Sequence, residues 1–190
     1  MILSKTDILE SLKAKHIIIE PFIEEFLGPS SYDLHLARQL LFFSTLESFH
    51  DLRQGRYELK PGGFILGVTI EIIGVPSGLH EGRIDGTSSL GRAGIATHIT
   101  ASKLNPGHTL HLTMEIKNQS TESVFLYEGM PIGQITFEEL KTRVDTSTSM
   151  RSYGNLKSKT LFEKNPKPQK SKLIEKTESA RNILKQKGFL

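Results

Sequence analysis

Glu115 stands in the run Leu112-Thr113-Met114-Glu115-Ile116, beside the apolar Leu112, Met114 and Ile116. A carboxylate in such a place can take a proton from a reacting group and return it. Upstream lies Gly86-Thr87-Ser88-Ser89-Leu90-Gly91-Arg92. Glycines beside small hydroxyl residues free backbone N–H groups to approach an anion, and Arg92 adds a forked cation suited to phosphate or to orienting a base. Proton transfer beside a phosphate-sized cradle is the chemistry that these residues could perform together. Blander roles compete with it. Strand alternation groups Glu115 with Thr113 and Lys117 on a polar face, the two serines suit ordinary turns, and Arg92 suits an ordinary surface.

The elements that must position these groups are short. Ser4 followed by Asp7 predicts a helix N-terminus, with Ile8, Leu9 and Leu12 at helical spacing up to about Lys15. Ile17-Ile18-Ile19 is a β-branched run stopped by Pro21, and the chain is then irregular to Lys60, apart from an alternating Tyr32, Leu34 and Leu36. Strands are predicted over residues 64–73, 95–100, 110–116, 124–127 and 132–137, separated by Gly, Pro and Asn turn signals. This punctuation favours an all-β barrel or sandwich over alternating βα units. Beyond Thr142 apolar density falls, and Leu173, Ile174, Ala180, Ile183 and Leu184 allow a terminal helix.

Composition narrows the classes. The 190 residues contain no Cys, so neither a disulfide framework nor a thiolate metal site can form. His108 and His111, among seven histidines, have no carboxylate set at metal-ligand spacing, so no protein-held metal is expected. No apolar run approaches the roughly 20 residues that span a bilayer, and Met1-Ile2-Leu3-Ser4-Lys5 lacks a signal-peptide core. A cytoplasmic protein without a membrane partner is the expectation. The net charge of +3 divides into −6 for residues 1–140 and +9 for residues 141–190. A basic tail of this kind can be a solvated face, a lid over a triphosphate or a nucleic-acid arm. It lacks the interleaved aromatic platforms of a strand-binding groove, which counts against nucleic acid.

The order of several motifs resembles the dCTP deaminase family of the trimeric dUTPase superfamily. They are Met1-Ile2-Leu3-Ser4, Ile19-Glu20-Pro21-Phe22, Pro29-Ser30-Ser31-Tyr32-Asp33-Leu34, the segment Gly86 to Arg92, His98-Ile99-Thr100-Ala101, Asn105-Pro106-Gly107, Thr113-Met114-Glu115-Ile116 and Gly129-Met130-Pro131-Ile132-Gly133-Gln134. The resemblance implies a distorted antiparallel β barrel or jelly roll of the dUTPase type over residues 1–142, with a short N-terminal helix. A basic tail, helical or flexible, would follow over residues 143–190. It further implies a homotrimer with active sites between subunits, and hydrolysis of dCTP to dUTP and ammonia without zinc. Glu115 would shuttle protons, while Ser88 and Arg92 would hold the water and orient the carboxylate. Substrate would be bound by Thr87, Ser89, His98, Ile99, Ala101, Asn105, Gln134, Tyr153 and Lys157, and Mg²⁺ would arrive on the triphosphate.

Departures from the family pattern keep other activities open. Thr87 stands where a cation is usual, Asn105 where many members carry Asp, Leu110 where glycine is common and His108 where an aromatic residue is common. Asn can hydrogen-bond a hydroxyl but cannot act as a carboxylate base. That change bears more on diphosphate hydrolysis than on deamination. The alternatives are a dUTP diphosphatase, a bifunctional deaminase and diphosphatase, and a non-catalytic nucleotide-binding homologue.

Overall fold

The computed structural model describes residues 1–42 and 49–146. Helix α1 spans Lys5–Lys13. The Ser4 hydroxyl accepts from the Asp7 N–H at 3.4 Å, and the Asp7 carboxylate takes the Ser4 N–H at 2.9 Å and its hydroxyl at 2.6 Å. This reciprocal capping fixes where the helix begins. The same bonds, the one from the Ser4 side chain first, hold the Asp7 carboxyl below its usual range. The helix stops two residues short of Lys15, which takes a left-handed φ of 56°.

Strands β1 (Ile18–Glu20), β2 (Tyr32–His35), β3 (Gln39–Leu41), β4 (Phe49–Asp51), β5 (Tyr57–Leu59) and β6 (Phe64–Gly74) follow. Then come β7 (His80–Asp85), helix α2 (Ser88–Arg92), β8 (Ile95–Ala96), β9 (Lys103–Leu104), β10 (Thr109–Asn118), β11 (Val124–Leu126) and β12 (Pro131–Glu139). All pairings are antiparallel. One sheet runs β4-β3-β6-β10-β8 with β1 also on β6, a second runs β2-β12-β7-β9, and β5 pairs β11. An isolated bridge between Leu36 and Thr69 stitches the two large sheets. This is the expected all-β core with a short N-terminal helix. Among the described residues it is a distorted barrel, not closed by one continuous ladder. No helix among them is long and apolar enough to cross a membrane.

The structure corrects three expectations. His80–Asp85 is a strand that the sequence hides, because two of its inward positions are His80 and Gly82. The predicted strand over residues 95–100 is regular only at Ile95–Ala96, since the chain then leaves the sheet. The irregular stretch before Lys60 holds β2 and three further strands of three residues each, too short to show a period. The expected terminal helix lies outside the described residues.

The β6–β10 ladder is the spine of the core. It pairs Thr109 with Gly74 at one end and Lys117 with Phe64 at the other, with a bulge between His111 and Thr113. At the bulge the Thr69 hydroxyl accepts the Leu112 N–H at 2.9 Å and donates to the Glu71 carbonyl at 2.7 Å. Leu112, Met114, Ile116 and Asn118 point inward along β10, leaving Thr113, Glu115 and Lys117 half-buried on the other face. Glu71, 2% exposed, pairs in the interior with His35: its carboxylate meets the ring Nδ1 at 2.7 Å and accepts the His35 N–H at 3.0 Å.

After β12 the chain is strapped to the turn before β7. Leu140 N–H donates to Leu79 O, Val144 N–H to Gly78 O and Arg143 Nε to Ser77 O. Gly78 has φ +73°, and a Cβ there would meet the Val144 carbonyl, so only glycine suits this crossing. His80 begins β7 opposite Glu139, with its ring 6.0 Å from that of His16. Burial foremost, then the neighbouring His16, pull the His80 pKa below its ordinary 6.5, and Glu139 opposes them. A lowered His pKa means the unfolded chain binds the proton first, so stability is greatest above pH 6.5 and falls as the pH drops toward the folded-state value. Thermal melts between pH 7.5 and 5.5 are expected to show a loss of Tm that His80→Gln reduces. An unchanged pH profile in that variant would contradict it.

Candidate functional site

Glu115 is fixed twice by one short segment. Its N–H donates to the Thr97 carbonyl at 3.0 Å, and its carboxylate accepts the Ile99 N–H at 2.7 Å. On its other side β10 continues the ladder, pairing Glu115 with Leu66. The chain leaves the sheet after Ala96 and turns the Ile99 amide toward the carboxylate, while the Ile99 side chain stays 56% exposed. A half-buried carboxylate with one oxygen held by a backbone donor can exchange a proton in a defined direction.

The Gly86 loop takes a more ordered form than a bare cradle. Thr87 is the N-cap of α2, its hydroxyl accepting the Leu90 N–H at 3.4 Å. The reading of Thr87 as a weakened phosphate contact thus gains a local structural task. Ser88 and Ser89 are exposed in the first turn, and Leu90 anchors the helix in the core. Arg92 is exposed at its end and makes no ion pair among the described residues. Within one chain the hydrogen bond to the Glu115 carboxylate comes from the Ile99 amide.

Gln134 supports this loop from below. Its Oε1 accepts the Ser31 hydroxyl at 3.1 Å and its Nε2 donates to the Gly86 carbonyl at 3.3 Å. Register places Gln134 between Asp33 on β2 and Asp85 on β7. The sequence marked Gln134 for substrate but missed the two flanking carboxylates, whose strands are far apart along the chain. Asp33 stands inside the Pro29–Leu34 motif and Asp85 just before the Gly86 segment, and neither position alone signals the other. Among the described residues no three His, Asp or Glu side chains are placed to hold a metal ion.

The remaining residues divide. His98 is half-buried next to the Thr97–Ile99 clamp, and Ala101 lies exposed two residues beyond Ile99. Asn105 is exposed in the turn before β10, its carbonyl accepting the His108 N–H at 3.2 Å. Thr109 and Glu115 are six positions apart on β10, or roughly 20 Å at the rise of a strand. One chain therefore joins Glu115 to Ile99, with His98 inside the same clamp, and leaves Asn105 in the turn at the other end of β10. Tyr153 and Lys157 lie outside the described residues.

Comparison with known proteins identifies the family. Residues 2–140 match the family described as dCTP deaminase-like. A protein of Corynebacterium jeikeium named "dCTP deaminase, dUMP-forming" is 35% identical over 188 residues, covering 91% of this chain and 98% of its own. One of the same name from Mycolicibacterium smegmatis is 34% identical over 190 residues, covering 91% and 97%. Among solved structures, 2′-deoxycytidine 5′-triphosphate deaminase from Agrobacterium tumefaciens superposes with a TM-score of 0.60 at 21% identity. That match covers 72% of this chain and 48% of the other, so this chain spans about half of that protein. At that identity the likeness shows the fold. The chain belongs to the dCTP deaminase-like family.

Gln134→Leu removes both bonds that seat the Gly86 loop. At about 1 kcal/mol for each such bond, urea unfolding is expected to show a loss of about 1–2 kcal/mol. Full stability in this variant would show that the bridge carries no weight.

Proposed function

We propose that this chain is a zinc-independent dCTP deaminase whose reaction ends at dUMP. The observation that carries the reading is the Glu115 carboxylate held by the Ile99 amide in a member of this family. Water adds to C4 of cytosine while Glu115 takes its proton and passes it to N3. The tetrahedral carbon then expels its amine as ammonia after a second proton transfer through Glu115, and C4 keeps the oxygen. The balance is dCTP plus water to dUTP plus ammonia. A second water cleaves between the α and β phosphorus atoms, giving dUMP and diphosphate.

Ser88 and Arg92 hold the attacking water and the charge around it in this reading. Thr87 and Ser89 face the phosphates, and His98, Ile99 and Ala101 face the base. Tyr153 and Lys157 add to the phosphate side from the basic tail. The thiolate ligands of a zinc deaminase are unavailable to a chain without Cys. Hydroxyls, amide N–H groups and Arg92 fit phosphate oxygens, so Mg²⁺ would be carried by the nucleotide and supply charge neutralisation there. The separation of Glu115 from Asn105 supports a site completed by another copy, in a homotrimer.

The dUMP end point rests on the names of the two relatives, against the dUTP that the sequence implies. Asn105 favours a second reading in which dUTP is released, because Asn supplies no carboxylate to activate the second water. Incubation with dCTP, and separately with dUTP, in Mg²⁺ is expected to yield ammonia and dUMP from the first and dUMP with diphosphate from the second. Ammonia with accumulating dUTP would establish the second reading, and no ammonia from dCTP would sink both. Light scattering is expected to give about three times the 21.3 kDa chain mass. A monomer would contradict the shared site.

A further inference from the structure

We propose that Thr97 is a positioning residue for deamination, its buried hydroxyl setting the Gly86–Ser88 loop against Glu115. The inference rests on the deaminase reading above. Thr97 bonds one half of the site and lies beside the other. Its carbonyl takes the Glu115 N–H, and two residues later the Ile99 N–H takes the carboxylate. Its side chain reaches the other way, with Oγ1 3.7 Å from where a Cβ on Gly86 would stand and 3.9 Å from one on Gly133. Gly86 leads directly into Thr87 and α2, which carry Ser88 and Arg92.

The chemistry of this position is out of keeping with its surroundings. Thr97 is 2% exposed, and the inward positions of the strands it adjoins, Ile95 on β8 and Met114 and Ile116 on β10, are apolar and buried. Its hydroxyl has no hydrogen-bond partner in this structure. Valine has the same shape, suits extended backbone as well and would carry no such cost. A hydroxyl kept at a site built for an apolar side chain is explained if it bonds in the working state. The hydroxyl lies beside the Cβ-less faces of Gly86 and Gly133, and the Gly86 carbonyl is held by Gln134, so a bond from Thr97 would add a second hold on a loop already fixed through Gln134. Nucleotide phosphates loading the amides of Ser88 and Ser89 would draw on that contact, and the water held by Ser88 would then stay aligned with Glu115.

The test compares Thr97→Val, which removes only the hydroxyl, with Thr97→Ser, which keeps it and removes a methyl. Ammonia release from dCTP and thermal melting are measured for both beside the wild type. Thr97→Val is expected to melt at or above the wild-type temperature while kcat falls about tenfold with KM little changed. Thr97→Ser is expected to melt lower yet keep kcat within about threefold of wild type. Wild-type kcat in Thr97→Val overturns the proposal. So does an equal loss of kcat in both variants, which would mean that shape and not the hydroxyl matters. A wild type that releases no ammonia overturns the deaminase reading and this inference with it, whereas an active wild type with an unaffected Thr97→Val overturns this inference alone.

Discussion

Two hydrogen bonds from a single three-residue stretch hold Glu115, one to its backbone and one to its carboxylate. Neither could form if β10 were free to slide. A shift of one residue on β6 would turn the whole polar row inward and the row of Leu112, Met114 and Ile116 outward. The β6–β10 ladder therefore sets the height of the carboxylate, and the bulge at Leu112, satisfied by the Thr69 hydroxyl, locks the register. The chain between β8 and β9 can then break away from the sheet, because its departure leaves Thr97 O and Ile99 N–H facing Glu115.

The second large sheet contributes through Gln134. A side-chain amide between Ser31 and Gly86 ties the loop before α2 to β2 and β12, so α2 is seated by hydrogen bonds beneath it and by Leu90 within the core. Thr97 lies where the two sheets meet below that loop. Carboxylate and hydroxyl-bearing helix thus come from different sheets and share one buried contact. The length of β10 has the opposite effect on Asn105, which lies in the turn before the end of the strand remote from Glu115.

Much of this was legible wherever local chemistry decides structure. Ser4 and Asp7 announced the cap of α1 because both partners lie within one helical turn. Alternation along Leu112, Met114 and Ile116 announced β10 and correctly grouped Glu115 with Thr113 and Lys117. Strand β7 was illegible because His80 and Gly82 occupy inward positions that the eye expects to be apolar. The Glu71–His35 pair left no trace because its members lie 36 positions apart on different sheets. The bond from Ile99 to Glu115 was hidden for a related reason: it needs an interrupted strand where the residues alone read as a continuous one. Family resemblance supplied the candidate site residues, whereas only the fold showed which of them hold one another.

Glu115 as the proton shuttle is tested most directly by Glu115→Gln, which keeps the shape and the acceptor for the Ile99 N–H while removing the titrating carboxylate. Single-turnover ammonia release from dCTP and dCTP binding should be measured on the same preparation. Loss of deamination with dCTP affinity within about threefold of wild type is the predicted result. Near-normal turnover in the variant would contradict the role given to this carboxylate.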